Sequence, residues 1–114
     1  MVDIKPQIVA ALSKLLPTYH ELFIDSTAPV PCITYREEYN TDKVKGDTLE
    51  YSDIGIAIKL WADDIKTLTQ YADRIDRVMK NIGFIRGGGG GGELLYNGRA
   101  MKLLNYSAMG VEQI

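Results

Sequence analysis

Few side chains in this sequence could carry a reaction. The single histidine, His20, is a candidate general base, and the single cysteine, Cys32, a candidate nucleophile. A nucleophile needs a base beside it, and a redox thiol needs a second cysteine in a Cys-x-x-Cys spacing. Neither accompaniment stands near these residues, so His20 reads as a strand histidine and Cys32 as a small core residue. Asp63 and Asp64 could form an acid pair. They stand where a helix begins, however, and there a carboxylate accepts hydrogen bonds from free N–H groups and suits the dipole. Asp73 and Asp76 lie three apart beside Arg74 and Arg77, the pattern of a solvated helix face. No His, Cys, Asp and Glu spacing matches a metal set. Gly87 to Gly92 suggests a phosphate loop, but a P-loop needs Gly-Lys-Ser/Thr opening a helix, and Glu93-Leu94-Leu95 follows here. The residues predict a non-enzyme with no catalytic site, cofactor or metal, whose function lies in its surface.

The stretch that must organise that surface is Tyr51 to Ile82. Ile54, Ile56, Ile58 and Leu60 alternate with Asp53, Gly55, Ala57, Lys59 and Trp61, which gives a strand one wholly aliphatic face. After Trp61 the period changes. Ile65, Leu68, Ala72, Ile75, Met79 and Ile82 step by three and four along one side of a helix, with Gly83 suited to end it. Ahead of this unit, Ile4 to Leu16 predicts a helix with Asp3 as cap, Pro6 in its first turn and Pro17 as its stop. His20 to Asp25 alternates as a strand, the prolines at 29 and 31 mark a turn, and Cys32 to Tyr39 reads as the next strand. In that strand Ile33, Tyr35, Glu37 and Tyr39 share one face. Asn40 to Glu50 is a polar connection, longer than the two to five residues of a simple hairpin, and reads as a mobile loop or an extended arm that orders on a partner.

Beyond the second helix, Phe84-Ile85-Arg86 starts a short strand, and Gly87 to Gly92 reads as a flexible hairpin tip. Asn97-Gly98 is a turn pair, Ala100 to Met109 a last strand covered on both faces, and Gly110 to Ile114 a tail. The order is α-β-β-β-α-β-β. It predicts a single α+β domain over residues 1–114, with two layers: a mainly antiparallel sheet of four to five strands and two helices packed on one face.

The 114 residues suffice for one modest core. A net charge of −2 is too near neutral for general attraction to DNA. No apolar run approaches the roughly 20 residues that span a bilayer, and MVDIKPQ lacks the parts of a signal peptide, so no membrane role is expected. If the helices cover the aliphatic face of the central strand, the opposite face presents Gly55, Ala57, Lys59 and Trp61. Small residues beside a tryptophan form a surface that another chain can approach closely. The polar connection offers a second candidate contact through Asn40, Lys43, Lys45 and Asp47.

Several stretches together resemble a known family. They are the first helix ending at Pro17, the sequence Pro31-Cys32-Ile33-Thr34-Tyr35 with charges after it, and the long polar connection. The strand YSDIGIAIKLWA with its Asp-capped helix and the closing MKLLNYSAMG continue the pattern. Over residues 4–110 the chain is similar to the tail completion, or tail terminator, proteins of long-tailed bacteriophages and prophages. The glycine run departs from that pattern. The resemblance implies a homo-oligomeric ring, commonly a hexamer, in the virion at the head-proximal end of the tail, assembled in the host cytoplasm. Such a ring docks on the last tail-tube subunits, stops tube polymerisation and offers a surface to the head connector, while DNA passes through without being read. Two other classes fit the same residues: a head–tail stopper or adaptor, and a ferredoxin-like ligand-binding or regulatory module.

Overall fold

Five strands form one sheet in the order β1-β2-β3-β5-β4, and two helices cover one of its faces, so the fold is α+β in two layers. The computed structural model describes residues 3–21, 29–45, 49–96 and 99–112. The elements are α1 (Lys5–Leu12), β1 (Thr18–His20), β2 (Cys32–Lys45), β3 (Leu49–Ala62), α2 (Ile65–Asn81), β4 (Ile85–Tyr96) and β5 (Arg99–Glu112). Every neighbouring pair of strands is antiparallel except β1 and β2, which run parallel. The expected strand at His20 to Asp25 begins earlier, at Thr18, and residues 22–25 lie outside the described residues. So do residues 26–28 of the predicted turn and the Asn97-Gly98 pair.

The central unit explains the layering. Ile54, Ile56, Ile58 and Leu60 are all fully buried on the helix side, joined there by Leu68, Ile75 and Met79 of α2. Each such side chain contributes about 1.5–3 kcal/mol by leaving water. Asp64 is the N-cap of α2, and its carboxylate accepts the Thr67 N–H at 2.7 Å. The other end closes on Gly83, whose φ of 94° is the left-handed value that a side chain resists. There the Gly83 N–H reaches Lys80 O at 3.1 Å and the Phe84 N–H reaches Met79 O at 2.9 Å. This pair of bonds is the Schellman motif, and Phe84 enters the core beside it. Ile65 differs from expectation: it is 53% exposed. At about 100° per residue it lies about 50° off the centre of the Leu68–Met79 stripe, at the stripe's edge and in the helix's first turn, where it is half exposed.

Helix α1 is shorter than Ile4 to Leu16. Asp3 Oδ1 accepts the Lys5 N–H at 3.2 Å, and after Leu12 the chain tightens, with the Leu15 and Leu16 N–H groups both returning to Leu12 O. Ile4, Ile8, Leu12 and Leu16 still join the core. The charged face expected at Asp73 and Asp76 is only partly solvated. The Tyr106 hydroxyl donates to Asp76, and Arg86 Nη1 donates to the same carboxylate at 3.3 Å, so this acid ties α2 to β5 and β4.

The strands outrun the core. Instead of stopping at Tyr39, β2 pairs with β3 as far as Lys45↔Leu49, leaving only residues 46–48 to join them. Polar residues continue the ladder because pairing uses backbone groups, which do not require apolar side chains. Likewise β5 continues through Gly110 to Glu112, opposite Tyr51, where a tail was expected. The glycine run is also not a hairpin tip. It lies inside β4, with Gly90 opposite Leu104 and register shifts on either side. Lacking side chains, the run has nothing that prevents it from lying along β5.

Candidate interaction surface

The face of the sheet away from the helices is the candidate surface, and two bulges decide what stands on it. Between Glu37 and Tyr39 the β2–β3 register slips, so Glu37 faces Ile56 and Tyr39 faces Gly55. One extra residue, Glu38, inverts the alternation. Tyr39 therefore leaves the face of Ile33 and Tyr35, where alternation alone puts it, and joins the open face. Its ring lies over Gly55 so closely that a methyl group there would overlap it. In β5 the second slip falls after Ala108, where Gly110 takes a φ of 66° and its N–H meets Asp53 Oδ1 at 2.9 Å.

The result is a row across four strands: Tyr39 on β2, Gly55 on β3, Ser107 on β5 and Ile85 on β4. Tyr39 is 49% exposed and Ile85 73%, and Met109, two residues along β5 from Ser107, is 81% exposed. Three of the four large exposed apolar side chains among the described residues thus gather on one face. A groove of about 280 Å³ lies beside Tyr39 on this face, with Gly55, Gly87, Asn105 and Ser107 along it and Glu38 and Tyr39 at one side.

The residues expected on this face are there by register but are more occupied than their types suggest. Gly55 lies under Tyr39, and Ala57, between Arg36 and Asn105 in the ladder, is only 2% exposed. The Trp61 indole N–H donates to Thr34 Oγ1 at 3.0 Å, which fixes the ring against β2. The Lys59 ammonium meets the Glu21 carboxylate. Arg36 reaches the same carboxylate at 3.3 Å and Glu38 at 2.8 Å, so four alternating charges line this part of the face. The exposed Arg36–Glu38 pair contributes little stability, and the four charges together fix the pattern that a partner meets. Gly55, Ala57, Lys59 and Trp61 therefore form the β3 part of this face, with the Tyr39 ring over Gly55.

No protein-family model matches the chain, and no curated protein matches it. The reading of the surface rests on its own geometry.

The arm residues divide. Asn40 and Asp42 lie in β2, and Asp42 Oδ1 accepts from Ser52 Oγ at 3.0 Å. Lys43 and Lys45 stand opposite Tyr51 and Leu49 in the ladder, and Asp47 lies outside the described residues. The groups weighed for chemistry are dispersed. His20 packs edge-on against Tyr35, with ring centres 5.2 Å apart. Cys32 is buried, and burial pushes its thiol up, away from the reactive thiolate. Among the described residues no group of three or more His, Cys, Asp or Glu is placed to hold a metal ion, and no helix is long and apolar enough to cross a membrane. Tyr39 was missed as a surface residue because a bulge changes its side of the sheet, and Met109, 81% exposed, because its strand was expected to be covered on both faces.

Proposed function

We propose that this chain is a structural protein of the tail-terminator type, which forms a ring at the head-proximal end of a phage tail tube, ends its polymerisation and receives the head connector. The observation that carries the reading is the pairing of two unlike contact regions in one elongated subunit of 51 × 26 × 22 Å. One is the hairpin arm of β2 and β3, which outruns the helix-covered core to Lys45↔Leu49. The other is the open face with Tyr39, Ile85 and Met109. A cyclic ring uses heterologous contacts that close, so each subunit must present two different patches. The sequence pattern over residues 4–110 supports the same reading, and a net charge of −2 agrees with a channel that lets DNA pass.

A stopper or adaptor would use the same two regions against a portal-side ring. The ligand-binding alternative draws less support, since the groove of about 280 Å³ lies just under the usual 300–1,000 Å³ of small-molecule sites.

The test is solution mass by light scattering, alone and with purified tail tubes, with electron microscopy of the tube ends. A six-fold ring, or particles seated at one tube end only, supports the terminator. A protein that ignores the tubes but binds portal-side rings is a stopper. One that ignores both overturns the proposal.

A further inference from the structure

We propose that the exposed face of α2 lies along the phosphate backbone of duplex DNA, through Lys66, Arg74, Arg77 and Lys80, without reading its sequence. The choice of DNA among polyanions rests on the ring reading, in which a duplex passes between the subunits. The basic face itself does not.

At about 100° per residue these four cations fall within about 120° of arc, centred about 170° from the Leu68–Met79 stripe. They therefore stand on the side of α2 turned furthest from the sheet, and all four are exposed. From Lys66 to Lys80 they extend over about 21 Å of helix. Gln70 and Asn81 lie in the same arc and add amide donors. Asp73 is the one acid among them. Asp76, the helix's other acid, is held by Tyr106 and Arg86.

A chain of net charge −2 thus gathers four positive charges and one negative charge on a single helix face. These cations are not engaged within the subunit. Lys5, Arg36, Lys59 and Arg86 each meet a carboxylate, whereas none of the four forms an ion pair with a described residue. Arg74 lies over the Tyr71 ring, 5.3 Å from its centre, a contact that steadies the side chain on the helix surface.

The composition of the face selects the partner. Protein contacts centre on buried aromatic or aliphatic anchors, and none of the large exposed apolar side chains among the described residues stands in this arc. Ile65 belongs to the edge of the core stripe instead. A phosphate backbone needs no such anchor, because its interfaces are wet, polar and positively charged. Contacts to phosphate carry no sequence information, so a duplex held in this way can still slide. In a ring, this assigns α2 to the channel side.

Fluorescence anisotropy of a short labelled DNA duplex, titrated with the full chain between about 50 and 200 mM salt, tests this. Four phosphate contacts predict that log K falls against log salt with a slope of about −3 to −4. K66A/R77A should weaken binding about ten-fold or more at the lower salt and halve the slope, with an unchanged circular dichroism spectrum. D73N should tighten binding. R36A, which takes a cation from the opposite face of the molecule, should leave it unchanged. A wild type that does not bind at the lower salt overturns the proposal, and loss of tube-end binding in K66A/R77A would then give the face to an acidic protein. A loss in R36A equal to that in K66A/R77A overturns it too. Ring formation and tube-end binding are read separately by light scattering and microscopy. DNA binding without a ring removes the tail reading and keeps the face, and a ring seated on tubes without DNA binding does the reverse.

Discussion

The Tyr106 hydroxyl on β5 donates to the Asp76 carboxylate on α2, joining the two layers by a charge-assisted bond. Tyr106 is buried, and Asp76 is partly exposed and also holds Arg86. Removing the hydroxyl leaves the ring's packing intact while taking a donor from the acid. Y106F should therefore cost about 1–2 kcal/mol, below the upper range for bonds to charged groups because water can partly replace the donor. Urea unfolding of the two proteins measures it, and equal midpoints would remove Tyr106–Asp76 from the account of stability.

The same pair predicts an alkaline limit. Burial, then Asp76, pushes the Tyr106 pKa well above its ordinary value of 10.0. A group whose folded pKa is raised contributes stability that is fully present below the unfolded pKa and is lost as pH rises through the folded one. Stability should thus decline above about pH 10 more steeply in the wild type than in Y106F. Unfolding midpoints measured across that range decide it, because the other tyrosines are common to both proteins.

The parts of this fold that could be read in the sequence are those in which side chains decide. Leu68, Ala72, Ile75 and Met79 repeat at helical spacing between Asp64 and Gly83, and Ile54 to Leu60 alternate, so α2 and the centre of β3 follow directly. The extension of β2 to Lys45 and of β5 to Glu112 follows from backbone pairing, which polar side chains neither require nor forbid. The parallel β1 depends on where the chain returns, which local sequence does not record. The candidate site shows the same division. Alternation puts Gly55, Ala57, Lys59 and Trp61 on the open face, where register also places them. Tyr39 reaches that face only because Glu38 is an extra residue, and no side chain type announces such an insertion.

At the start of α2 the prediction is acid-sensitive. The Thr67 N–H, bonded to the Asp64 carboxylate, lowers its pKa from the ordinary 3.8. A depressed carboxylate contributes stability above its unfolded pKa, and that contribution is lost as pH falls through the folded value. D64A should therefore be less stable than the wild type at neutral pH, and the difference should shrink as pH drops below about 4. D64N, which still accepts the Thr67 N–H, should stay near the wild type at neutral pH while lacking this acid-dependent loss. Parallel titrations of the unfolding midpoint that kept a constant gap between D64A and the wild type would refute the linkage.

Gly83 tests backbone strain without crowding. A methyl group there would meet nothing within 4 Å, so the cost of G83A comes from φ alone. A left-handed residue with a Cβ costs about 1–2 kcal/mol. G83A should lose about that much and G83N less, because asparagine tolerates this conformation better. A thermal melt that ranked G83N below G83A would contradict the assignment.

Gly55 and Tyr39 link packing to the proposed surface. At Gly55 an added methyl group overlaps the tyrosine ring, which is the far end of a flexible side chain and is half exposed. The ring can swing outward, so G55A should cost under about 1 kcal/mol of stability. It should nevertheless disturb the groove, because Tyr39 forms one side of it. Y39A removes that side without crowding the floor. If the open face is the contact region, both variants should fold normally, with G55A shifting the Tyr39 ring resonances, and both should weaken ring formation or tube-end binding several-fold. Residues Thr41–Asp47 supply the comparison, since deleting them shortens the arm while leaving Tyr39 over Gly55. Loss of assembly in the deletion alone would assign the contact to the arm. Loss in G55A and Y39A alone would assign it to the open face. A closed ring with two unlike patches requires both.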